Sequence, residues 1–360
     1  MNSPTTITPI VPAPWPMTPL AGRQRIAARV FKSALLINIA LTTFCVVAYF
    51  TGFGDSIAGM RTLNARAVGQ VLFGILFFNV LWGTVWYGIK NLLLKSVAGF
   101  SKEERRAAFS SRMKEPFEVN TLLARHSERR IRIVDMIGRR GRFMTLGLAG
   151  FYYLYTQVAA NHPAGFATAF LKNNLLDGVI TGWIFVALFY VSNFLSATIY
   201  GPQSRVMDGT LARANCLLII TLWSLFKFIL VPIGTQMATL YTPQQFAAVF
   251  ALIWGSYMIC DTLAEVAGSI YGRQSIRVRG IGDVNRKSIA GTLAGFAGSL
   301  VFCTAIVWAN ELPPSFFALA AAISLSNTLL ELFSPRGTDD FTMATGNALL
   351  CWAFGAWVLA

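Results

Sequence analysis

Charge, and negative charge above all, is what this 360-residue chain has least of: 13% of its residues are charged, and its acids number 16 against 30 bases. With 55% hydrophobic residues and a mean hydropathy of +0.55, the composition is that of a polytopic membrane protein rather than a soluble globular one. The five cysteines, Cys45, Cys216, Cys260, Cys303 and Cys351, lie in apolar segments with no CxxC spacing and no neighbouring His. That pattern excludes a disulfide framework and a zinc site and leaves buried, inert thiols. No GxxxxGK[ST] loop occurs, which excludes a Walker A nucleotide site. There is no fixed-period repeat and no polar stretch large enough to hold a site of its own, so any chemistry falls to loops and helix ends at the membrane surface. The first long apolar run lacks a small-residue cleavage site, which argues against a cleaved secretory signal.

What is present is a series of apolar runs long enough to cross a bilayer as helices. They fall at about residues 30–52, 68–90, 143–160, 178–199, 214–233, 246–266, 289–309, 315–333 and 344–360, predicting an all-α polytopic transmembrane helical bundle of about nine spans. The net charge of +14 raises the question of nucleic acid, but the basic residues are spread between the runs and form no basic domain with interleaved aromatics, so no nucleic-acid partner is expected. Every second loop is basic. By the positive-inside rule this predicts a cytoplasmic N-terminus, in a bacterial inner membrane or an organellar membrane.

Four regions follow: a disordered N-terminal tail (1–28) rich in Pro, Thr and Ser, an N-terminal transmembrane hairpin (29–94), a basic linker (95–142) and a seven-span catalytic membrane domain (143–360). Within the linker, Ser101-Lys-Glu-Glu104 reads as a capping box that starts a helix. The rest mixes Arg with spaced apolar residues, predicting amphipathic helices that rest on anionic lipid; the alternative is a solvated linker with its charges in water.

The scarce acids are concentrated where chemistry needs them. Asp261, Glu265, Gly268 and Gly272 follow i, i+4, i+7, i+11 spacing and share one face of an apolar helix, with Arg273 directly after. Intramembrane carboxylates are costly without a partner, and carboxylate oxygens are the hard ligands that Mg2+ takes alongside substrate phosphates. Asp261 and Glu265 are therefore candidate metal ligands, and Asp340, from a later acidic element, is another. The glycines would let a phosphate approach the backbone; alternatively they allow tight helix packing.

A second element, Asn285-Arg286-Lys287-Ser288-Ile-Ala-Gly291-Thr292, enters the next run with the character of an anion site at a helix start. A lipid anchor with a Ser helix cap is the competing reading. The third element is Glu331, near the end of an apolar helix, followed by Asp339 and Asp340 in the next loop; an Asp pair there is otherwise a solvated turn.

In order and spacing these three elements, within about residues 250–345, resemble the polyprenol kinase family, which comprises dolichol kinase, phytol kinase and CTP-dependent diacylglycerol kinases. The resemblance implies transfer of the terminal phosphate of a nucleoside triphosphate, CTP or possibly ATP, to a membrane lipid alcohol with Mg2+. It implies catalytic roles for Asp261, Glu265, Lys287, Glu331, Asp339 and Asp340, and nucleotide binding by Gly268, Gly272, Arg273, Asn285, Arg286, Lys287, Ser288, Gly291 and Thr292.

Two departures stand out. An Arg-Lys-x-x-His element common before an early span has no evident counterpart, since His126 has its basic neighbours in the wrong order and His162 falls on the predicted far side. In addition Phe341, not Asn, follows Asp340. A phosphatidate cytidylyltransferase is the first alternative, disfavoured by Ala290 before Gly291 and by the lack of Pro. A non-catalytic transporter or scaffold is the second.

Overall fold

A computed structural model describes residues 20–51, 69, 72–73, 76–110, 119–160, 178–188, 194–279, 284–335 and 337–359. Helix α1 (Leu20–Thr51) is followed by a π turn (Leu76–Leu81) running into α2 (Trp82–Ser96), then α3 (Lys102–Ser110), α4 (Val119–Leu123), α5 (Glu128–Ala160), α6 (Gly178–Leu188) and α7 (Phe194–Tyr200). A 3-10 segment (Val206–Leu211) leads into α8 (Ala212–Leu240) and α9 (Pro243–Tyr271); strands β1 (Ser275–Arg279) and β2 (Val284–Ser288) precede α10 (Ile289–Ala309), α11 (Ser315–Phe333) and α12 (Asp339–Phe354).

Among the described residues six helices are long and apolar enough to cross a membrane: Gly22–Thr51, Ala212–Leu230, Pro243–Tyr271, Ile289–Ala309, Ser315–Phe333 and Asp339–Leu359. They mark the chain as an integral membrane protein. The expected spans at 68–90 and 178–199 are described only in part, and that at 143–160 is the second half of α5, which passes unbroken through the boundary expected at 142. Of the expected N-terminal tail, 1–19 lie outside the described residues, and α1 already begins at Leu20.

Local sequence explains where the helices of the C-terminal bundle begin. Thr242 caps α9 by accepting from Gln245 N–H, while its own N–H donates to the Gln245 side chain at 3.0 Å, and Pro243 sits at the first position, where no N–H is needed. Ser288 caps α10 by accepting from Gly291 N–H at 3.0 Å. Helix α9 is apolar over most of its length and is the most buried span, with α5, α8, α10, α11 and α12 around it. Trp223 of α8 stacks on Trp254 of α9 with centroids 5.0 Å apart.

Deeper between α9, α10, α11 and α12, Asn327 donates to Ser256 (2.9 Å) and Ser299 (3.2 Å), and Asn347 donates to Ser256 (3.1 Å) and the Asn327 carbonyl (3.0 Å). All four side chains are fully buried, so this network fixes the register of four helices where sliding would strand a polar group in hydrocarbon.

The described residues of 95–142 form packed helices and not a solvated linker, since Leu94, Phe100, Phe109, Val119, Leu122, Ile131 and Val134 form one buried cluster with Val206. The expected capping box is present: Glu104 N–H donates to Ser101 Oγ at 3.1 Å and Ser101 N–H to the Glu104 carboxylate at 2.8 Å. The departure from an all-helical fold is the antiparallel hairpin β1–β2, in which Ile276 pairs with Lys287 and Ser275 with Ser288. Its short alternating segment, Ser-Ile-Arg-Val-Arg, has period two.

Because α9 and α11 end where α10 and α12 begin, the hairpin, the end of α11 and the start of α12 converge at one end of the bundle.

Candidate functional site

At that end the side chains form two adjoining ionic groups. In the first, Lys287 Nζ, presented by β2, donates to Glu331 near the end of α11 and to Asp339 at the start of α12, 3.2 Å away. Burial disfavours the Lys287 charge, but Glu331 and then Asp339 outweigh it and hold the ammonium above its ordinary range. In the second, Arg140 of α5 pairs with both Asp261 and Glu265 of α9, and Glu265 also takes Arg139 at 2.6 Å and Arg205 at 3.1 Å. Asp261, 5% exposed, joins the two groups: ligand oxygens of Asp261, Glu331 and Asp339 all lie within 4.8 Å of one another.

A cleft of about 500 Å3, its open mouth included, is lined by Asp261, Lys287, Asp339 and Asp340 together with Arg139, Arg205, Asp208 and Asn215. Asp340 thus faces the same space as Asp261 and Asp339.

The carboxylates that the fold brings within ligand distance of one another are Asp261, Glu331 and Asp339, whereas the expected metal ligands are Asp261, Glu265 and Asp340. Spacing along one helix pairs Asp261 with Glu265, yet Glu265 is spent on three arginines, and its place beside Asp261 is taken by Glu331 and Asp339 from other helices. The trio fits a hard divalent cation, being three carboxylates with one buried oxygen, Glu331 Oε2, that has no hydrogen-bond partner.

The glycines serve close packing of α9 on α10. A Cβ on Gly291 would sit 2.5 Å from Ala264 O, and one on Gly268 would sit 2.9 Å from Ser288 Oγ; Gly272, the residue after α9, also abuts Ser288. Ser288 spends its hydroxyl on the helix cap, and Thr292 donates to Ser288 O at 3.1 Å. Arg273 is exposed just past α9, while Asn285 and Arg286 are placed on β2 with their side chains outside the described residues. Among the described side chains of the anion-site stretch, Lys287 is the one that reaches the acids.

Arg139, Arg140 and Arg205 are the site residues that sequence reasoning missed. For the first two a signal existed: Arg139-Arg140-Gly141-Arg142-Phe143 has the spacing of the Arg-Lys-x-x-His element, with Phe143 in place of His. It lay in a stretch read as surface helix. Arg205 carried no such signal, because it sits in the turn before the 3-10 segment and reaches Glu265 only through the fold.

The phytol kinase of Synechocystis sp. is 32% identical to this chain over 114 residues, which is 30% of this chain and 44% of the phytol kinase. The chain therefore spans less than half the length of that relative. No family model matches the chain, and no solved structure does so significantly. The partial likeness supports a distant relationship to polyprenol and isoprenoid kinases.

Proposed function

We propose that this protein is a membrane lipid kinase that transfers the terminal phosphate of a nucleoside triphosphate, CTP in preference to ATP, to the hydroxyl of an isoprenoid-type lipid alcohol. The observation that carries the reading is the gathering of Asp261, Glu331 and Asp339 around Lys287 at one end of four apolar helices. The partial likeness to phytol kinase supports the same chemistry, and the preference for CTP rests on the resemblance of the motifs alone.

Phosphoryl transfer asks a protein for positioning and charge neutralisation more than for covalent chemistry. Asp261, Glu331 and Asp339 would hold Mg2+, which supplies neutralisation of the triphosphate charge when bound. Lys287, now paired with Glu331 and Asp339, turns its ammonium to the phosphate oxygens when the donor enters. The lipid hydroxyl oxygen forms a bond to the terminal phosphorus in line with the departing oxygen, the bond to the nucleoside diphosphate breaks, and Asp340 accepts the hydroxyl proton. Arg139 and Arg140 hold Asp261 and Glu265 in place, so the acids do not repel one another out of register. By the positive-inside rule the cleft faces the cytoplasm, and the basic helices of residues 95–142 rest on anionic lipid.

The test is transfer of label by the purified chain in liposomes, from CTP or ATP labelled in the gamma or the alpha position, to a panel of prenols, phytol, diacylglycerol and phosphatidate. Label passing only from the gamma position supports the kinase. Label from the alpha position would instead make the protein a cytidylyltransferase, and no label in any lipid would remove both activities.

A further inference from the structure

Lys90 has no part in either ionic group, yet it is completely buried in α2, among the largest fully buried side chains of the protein. Its ammonium donates to Gly201 O at 3.2 Å and to Ser204 O, and pairs with Asp135 of α5 at 2.9 Å. The other Asp135 oxygen accepts Val206 N–H at 2.8 Å. One cation and one anion thus grip a single loop at residues 201, 204 and 206. The space is made for this purpose: a Cβ on Gly138 of α5 would lie 2.8 Å from the Lys90 stem.

A buried ion pair is a poor device for stability alone, since well-packed apolar residues of similar volume serve as well or better. What the loop carries is Arg205. That guanidinium lines the same cleft as Lys287 and Asp339 and rests on Glu265 at 3.1 Å. Glu265 already holds Arg139 and Arg140, so Arg205 shares its carboxylate with two other guanidiniums, and a guanidinium carries five N–H donors. A guanidinium in that position suits a phosphate oxygen, which it binds in a fixed fork geometry.

We propose that the buried Lys90–Asp135 pair is a positioning device that holds the 201–206 loop so that Arg205 projects into the cleft as a phosphate-binding residue. The proposal rests on the kinase reading in taking the bound anion to be the triphosphate of the donor. It gives the second helix of the N-terminal hairpin a task at the site without placing it in contact with substrate.

The experiment uses the full chain in detergent and compares Arg205→Gln, Lys90→Met, Asp135→Asn and the double variant Lys90→Met/Arg205→Gln. Affinity for inorganic pyrophosphate with Mg2+ and gamma-label transfer from CTP are both measured, with hydrogen exchange of residues 201–206 as the structural readout. Arg205→Gln is expected to weaken pyrophosphate binding and raise KM for CTP by roughly 10- to 100-fold, the scale of a hydrogen bond to a charged group. Lys90→Met and Asp135→Asn are expected to speed exchange at 201–206 and to raise the same KM, leaving KM for the lipid unchanged.

The double variant should be no worse than Arg205→Gln, because the pair acts through that residue. Multiplying effects in the double variant, unchanged exchange in either single variant, or full pyrophosphate affinity in Arg205→Gln would each overturn the proposal. If Lys90→Met fails to fold, Arg205→Gln and Asp135→Asn still decide it. Variants that weaken pyrophosphate binding in a protein that labels no lipid remove the kinase reading and leave the positioning role. Wild-type labelling with pyrophosphate affinity unaffected by any variant does the reverse.

Discussion

Lys287 stands 3.2 Å from Asp339, 52 residues further along the chain, and the same ammonium is hydrogen-bonded to Glu331. One side chain therefore ties the hairpin after α9 to the end of α11 and the start of α12. Such a contact is unaffordable in hydrocarbon unless its charges are matched, and a cation facing two carboxylates leaves an acidic surplus that a divalent metal and a phosphate would complete.

Removing that cation has two separable effects. Lys287→Met is expected to abolish phosphoryl transfer, with kcat lowered by about 100-fold or more as for other preorganised donors to developing charge. It should also destabilise the protein by about 3–5 kcal/mol, because Glu331 is left as an uncompensated buried charge. Label transfer and thermal melting in detergent check the two effects.

The metal set can be told from its neighbours by titration. Glu331→Gln and Asp339→Asn are expected to raise the Mg2+ concentration giving half-maximal activity by at least about tenfold, through loss of a hard oxygen ligand. Glu265→Gln is expected to leave that concentration unchanged but lower the melting temperature, since it leaves Arg139, Arg140 and Arg205 without their shared carboxylate. A shift in Mg2+ dependence for Glu265→Gln would return Glu265 to the metal.

The polar network below the site sets helix register. Asn327→Leu removes donors to Ser256 and Ser299 and an acceptor for Asn347. Unfolding in mixed micelles is expected to show a loss of about 1–2 kcal/mol, the scale of interhelical hydrogen bonds in membranes.

Helix α10 depends on its N-cap. Ser288→Ala removes the acceptor for Gly291 N–H and is expected to cost about 0.5–2 kcal/mol. Ser288→Thr should retain most of the stability, which thermal melting of the two variants will show.

The start of α3 is acid-sensitive. The Ser101 N–H, followed by His126 and Arg125, holds the Glu104 carboxyl below its ordinary range. A carboxyl depressed in the folded state stabilises above its unfolded pKa, about 4.3, and loses that contribution as pH falls through the folded value. Amide exchange in residues 101–105 is therefore expected to accelerate relative to α9 below about pH 4, and Glu104→Gln should remove the difference.

Reading the chain linearly works where one helix suffices. The apolar runs, the cap at Ser101 and the scarcity of acids in apolar segments are local properties, and they locate the six membrane-length helices among the described residues and draw notice to Asp261, Lys287, Glu331 and Asp339. The same reading joined Asp261 to Glu265 because they share a helical face. It missed Arg205, whose neighbours in sequence give no reason for it to meet α9.

Composition and periodicity by themselves determined that this is a helical membrane protein whose few intramembrane acids must find partners, because burial of an unpaired carboxylate is prohibitive whatever the fold. Which partner each acid finds was decided only by the tertiary structure. Glu265 went to three arginines from α5 and the 201–206 loop, and Asp261 went to Arg140, since coulombic pairing depends on distance across helices and not on spacing along one.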